Sequence, residues 1–133
     1  MLLFEGLDLW GLLVLRVFLG IVFVYHGMPK LMMSGKMAKG MGWANGSVVL
    51  LGLVELLSGL ALVLGLYAEI GALLVGIIML GALWHKMFKW KVPFFAMDKT
   101  GWEFDFILLG AAVAILFLGA GAISLDAVFG LWP

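Results

Sequence analysis

Apolar residues run through this chain in four long blocks, and the polar residues between and inside those blocks decide how it is read. A helix that spans a bilayer needs about 20 mostly apolar residues, at a rise of about 1.5 Å each. Four segments qualify, at about residues 9–28, 48–66, 70–84 and 104–122. Trp10 would anchor the first at an interface, and Tyr67 and His85 extend the short third one. Only Gly65 to Glu69 separates the second block from the third, so these two form an antiparallel hairpin. The connections 29–47 and 86–103 are longer. The first is rich in glycine; the second carries Pro93 and the aromatics Phe88, Trp90, Phe94, Phe95 and Trp102. Both are expected to lie at the headgroup level as partly helical segments. The pattern predicts an all-α, four-helix transmembrane bundle. It forms a single domain over residues 1–133, with a short outer hairpin and two longer interfacial cytoplasmic connections.

Lysine sets the orientation. All seven lysines fall in the two long connections: Lys30, Lys36 and Lys39, then Lys86, Lys89, Lys91 and Lys99. Basic loops stay on the cytoplasmic side. Both termini are therefore expected outside, in a bacterial cytoplasmic (inner) membrane.

Composition agrees with lipid as the solvent. Of 133 residues, 65% are hydrophobic, more than a soluble domain of this size can hide from water. Formal net charge is zero and only 12% of residues are charged, so their positions matter more than their sum. No nucleic-acid partner is implied. The absence of cysteine excludes thiol exchange and thiolate metal sites within this chain. The N-terminus does not read as a cleavable signal, because Glu5 and Asp8 stand where a basic region belongs and Arg16 interrupts the apolar run.

Ionisable residues inside spanning segments are costly and mark functional sites by default. Placed by depth, they form two sets. The inner set is His26, Lys30, Glu55, His85, Glu103 and Asp105. The outer set is Arg16, Glu69 and Asp126. Arg16 is expected to pair with Asp126 or Glu69, and Glu55 with His26 or Lys30. His26 and Lys30 are four apart and share a helix face. Gly52 and Gly59 flank Glu55 on its face, leaving either a pocket or a place where another helix comes close. Gly20, Gly27, Gly52 and Gly59 recur at heptad spacing, which permits close helix packing in lipid.

Several chemistries suit the inner set. His26, Lys30 and His85, with Trp84 and Trp102, could donate to the carbonyls of a quinone head group, and Glu55 and Glu103 could exchange its protons. The competing reading is a structural polar cluster that locks the bundle. His26 and His85 could also ligate haem, or a metal together with Glu55 and Glu103, but no diagnostic spacing supports either. Small-solute or proton transport is a further alternative, although no discontinuous helix pair is evident.

The segments LRVFLGIVFVYHGMPKL, LLGLVELLSGLALVLGLYAEIGAL, GWEFDFILLG and GAGAISLDAVFG, in this order, resemble DoxX-type membrane proteins. The resemblance covers nearly the whole chain and implies a four-helix membrane bundle. It matches the family pattern at Arg16, Gly27, Lys30, Glu55, His85, Glu103, Ser124 and Asp126. Where that pattern has a proline before Ser-Leu-Asp, Ala120 stands here between Gly119 and Gly121. The family takes its name from subunits associated with a thiosulfate:quinone oxidoreductase. The resemblance thus implies a small or accessory subunit of a quinone-linked membrane redox complex. Its partners would be the lipid bilayer and other membrane or redox subunits, or a second copy of itself.

Overall fold

A computed structural model describes residues 5–131. Those residues are helical and turn, with no strand among them. The long elements are α1 (Asp8–Met32), α3 (Asn45–Leu64), α4 (Ala68–Trp84) and α5 (Trp102–Leu118). Two short helices join them: α2 (Ser34–Met41) and α6 (Leu125–Val128). A π-helical turn, His85–Lys89, continues α4. Asp8–Met32, Asn45–Leu64 and Ala68–Lys89 are long and apolar enough to cross a membrane. At 17 residues α5 is about 26 Å long, shorter than a hydrocarbon core of about 30 Å.

The core is a seam between the four long helices. Leu19 and Phe23 of α1 meet Leu62 of α3, Val75 and Met79 of α4, and Leu108, Ala112 and Ile115 of α5. The outside is as apolar as the inside: Phe18, Tyr25, Ile77, Ile107 and Phe117 are all exposed. Such a surface is stable only where lipid covers it. The protein is an integral membrane protein.

α1 and α3 approach closely because glycine faces glycine. A Cβ on Gly27 would lie 2.6 Å from the Gly52 oxygen, and one on Gly20 would lie 2.6 Å from the Gly59 oxygen. Of the two readings of the heptad-spaced glycines, the structure has the close-packed one.

The element boundaries shift from expectation for identifiable reasons. α1 runs through Pro29 to Met32, since a proline near a helix end removes only one hydrogen bond. α3 stops at Leu64 because Gly65 takes a left-handed conformation, φ 66°. α4 begins early, at Ala68, because a side chain from far along the sequence caps it. α5 ends at Leu118 rather than near 122, where Gly119 and Gly121 turn to positive φ. The broken segment that follows is buried at Gly119, Ala120 and Gly121. Irregular backbone at membrane depth is tolerated only where protein satisfies it.

Candidate functional site

Arg16 satisfies that broken segment. It is 1% exposed and donates through Nη1 to the Ala120 carbonyl and through Nη2 to the Ile123 carbonyl at 2.8 Å. The expected ion pair with Asp126 or Glu69 is not formed. Asp126 instead accepts from the backbone N–H groups of Tyr67 (2.7 Å) and Ala68 (3.0 Å), while Glu69 is exposed. The reason lies in the backbone. The first turn of α4 has N–H groups with no helical partner, and the irregular segment after α5 has carbonyls outside any helix. A carboxylate serves the first and a guanidinium the second. Ser124 completes the arrangement by accepting from Ala127 N–H at 3.1 Å and donating to the Gly121 carbonyl at 2.5 Å. Asp126 N–H returns a bond to the Gly65 carbonyl at 2.8 Å. Arg16, Gly65, Ser124 and Asp126 thus form one latch that ties α1, the α3–α4 hairpin and the chain after α5 together.

The opposite, lysine-rich end is built differently. Lys30 Nζ lies 2.7 Å from Glu55 Oε2, joining α1 to α3, and donates to the His26 carbonyl at 3.1 Å. Of the two partners considered for Glu55, the structure brings up Lys30. A second ion pair, Lys86 Nζ to Asp105 Oδ2 at 2.5 Å, joins the π-helical turn to α5. Each is a close, charge-assisted contact between an ammonium and a carboxylate.

Between these pairs lies a cavity of about 370 Å³. His26, Lys30, Glu55, His85, Lys86 and Asp105 supply its polar wall; Trp43, Trp90, Leu51 and Met79 are among its apolar residues. The His26 ring is tilted against Phe23 and Phe104, with centroids 5.9 and 6.0 Å away. His85 is held more firmly. Trp84, Trp43 and Trp90 surround it at 5.1, 5.3 and 5.6 Å, and its Nδ1 is 2.9 Å from the Gly81 carbonyl. Gly81 is exposed, and nothing lies within 4 Å of where its Cβ would be. The cavity wall is therefore open beside α4.

Five of the six residues of the inner set line this cavity: His26, Lys30, Glu55, His85 and Asp105. Glu103 is not among its lining residues; Asp105 is. The two lie at the same depth, but residues two apart point about 200° apart around a helix, so only one can face the cavity. Lys86, Trp43 and Trp90 are wall residues that the sequence did not single out. All three come from the connections 29–47 and 86–103, whose course depends on tertiary packing. Among the described residues no three His, Asp or Glu side chains converge as a metal would require.

A family model for the DoxX domain matches residues 11–90, which carry Arg16, His26, Lys30, Glu55 and His85. The chain belongs to the DoxX family. A relative from Bacillus subtilis (strain 168) named "Putative oxidoreductase CatD" is 30% identical over 119 residues. The alignment covers 87% of this DoxX chain and 84% of that protein. No solved structure matches this DoxX protein.

Proposed function

We propose that this DoxX protein is a small or accessory subunit of a quinone-linked membrane redox complex, and that the cavity at its lysine-rich end receives a quinone head group. One observation carries the reading: an apolar cavity at a helix end, with two imidazoles and two ion pairs in its wall, opens beside Gly81. Its volume falls at the small end of ligand sites, which run from about 300 to 1,000 Å³, as suits a single ring with its tail left in lipid. A bound quinone would supply two-electron, two-proton chemistry. The chain's own residues would orient the ring through His26 and His85 and hold or release protons at Glu55 and Asp105. The relative's printed name is consistent with a redox role. We place the lysine-rich end in the cytoplasm and both termini outside, in an inner membrane; labelling of single introduced cysteines from either side tests this, because the native chain has none.

The rival reading is purely structural, and one observation favours it: Lys30–Glu55 and Lys86–Asp105 each join two helical elements. Mass spectrometry of the tagged protein in mild detergent, for both polypeptides and quinones, discriminates. Co-purifying redox subunits or stoichiometric quinone are expected. The chain alone with bulk lipid would count against the redox reading. Glu55→Gln and His85→Ala should then lower turnover of the isolated complex while the complex persists; loss of assembly first would favour the structural reading.

A further inference from the structure

We infer that His85 makes this cavity select the reduced, dihydroxy form of its ligand, a quinol, over the oxidised quinone; the inference rests on the quinone reading above. The ring's hydrogen-bonding role is fixed by its neighbours. A carbonyl oxygen only accepts, so the Nδ1 that stands 2.9 Å from Gly81 oxygen carries the proton. In the neutral ring Nε2 is then an acceptor with a free lone pair. No described residue donates to it. The ring cannot exchange these roles by turning over without losing the Gly81 bond, and three tryptophans at 5.1–5.6 Å crowd it.

The other polar groups in the wall do not discriminate. Lys30 and Lys86 can donate to a carbonyl, and Glu55 and Asp105 can accept from a hydroxyl, so either redox state finds partners among them. His26 makes no ring hydrogen bond among the described residues and is free to take either tautomer. Of the two imidazoles, His85 alone is committed to one tautomer. A quinol hydroxyl turned toward Nε2 forms a hydrogen bond. A quinone carbonyl in the same place sets one lone pair against another. The preference is therefore built from a backbone carbonyl, through an imidazole, to the ligand.

The test uses the full chain in lipid nanodiscs with decylubiquinone and decylubiquinol as probes, each titrated under conditions that hold its redox state. Decylubiquinol should bind about tenfold more tightly, the effect of one hydrogen bond gained against one acceptor left opposed. For a two-electron couple that ratio raises the midpoint potential of the bound probe by about 30 mV over the free one. His85→Phe keeps an aromatic ring among the tryptophans but removes the acceptor, and should abolish the preference with decylubiquinone affinity retained. His85→Gln, whose amide can turn either end to the ligand, should bind both probes comparably. Equal wild-type affinities, or tighter binding of decylubiquinone, would overturn the selectivity while leaving the quinone site standing. Binding of neither probe would overturn the quinone reading and this inference with it.

Discussion

Replacing Gly27 by alanine should force α1 and α3 apart, because no neighbour can yield. The added Cβ would sit 2.6 Å from Gly52 oxygen, 2.7 Å from Leu56 nitrogen and 3.1 Å from Leu56 Cα, all of them backbone atoms. Restoring ordinary contact at 3.4 Å requires the helices to separate by about 0.8 Å. Overpacking of this kind costs about 1–3 kcal/mol. The damage extends to the cavity. Lys30 Cβ and the Gly27 oxygen both press on Gly52, so the same separation draws Lys30 away from Glu55. Resistance to unfolding by SDS in mixed micelles measures the first effect. Gly110→Ala is the control: it lies in α5 with nothing within 4 Å of its Cβ, and alanine there should be neutral or stabilising. If Gly27→Ala unfolds at the same SDS fraction as wild type, the glycine-against-glycine contact is not what sets the α1–α3 distance.

Arg16→Leu should destabilise the bundle by about 1–3 kcal/mol for each carbonyl it orphans, at Ala120 and Ile123, and Arg16→Lys should recover only part, since an ammonium lacks the planar fork; unchanged thermal stability in detergent would refute the latch. Lys30→Met should cost about 3–5 kcal/mol by leaving the Glu55 charge buried alone, and the double variant Lys30→Met with Glu55→Leu should restore most of it, as read by the same SDS titration. Gly81→Phe should fill the opening beside α4, weakening decylubiquinone binding several-fold with little loss of stability; unchanged binding would show that the ligand enters elsewhere or not at all.

How much of the bundle is legible in the sequence depends on how local each cause is. The four apolar blocks declare their helices through length and composition alone, and the depth of each charge comes from counting residues. The Ala68 start of α4 is not legible, because its cap is the Asp126 carboxylate from beyond α5. Nor is Arg16's arrangement. Charge alone points Arg16 to a carboxylate, whereas its partners are carbonyls of the irregular segment that follows α5, and a carbonyl has no letter in a sequence. Depth places Glu103 and Asp105 together; rotation about the helix axis, which needs a packed neighbour, separates them. Trp43 and Trp90 reach the cavity from connections whose path only the assembled bundle determines.

The two polar ends differ in what they leave undone. At the end opposite the lysines Arg16, Ser124 and Asp126 are turned to backbone groups of α4 and of the segment after α5, so the charges serve the fold. At the lysine-rich end Lys30 and His85 likewise bond backbone carbonyls, those of His26 and Gly81. Glu55 and Asp105 retain lone pairs beyond their lysines, and the His85 Nε2 has no partner among the described residues. Arg16 closes its bonds at the Ala120 and Ile123 carbonyls, although its Nε has no partner among the described residues. Under the proposed reading, the lysine-rich cavity would receive a ligand that brings its own hydrogen-bonding groups to His26, Lys30, Glu55 and His85.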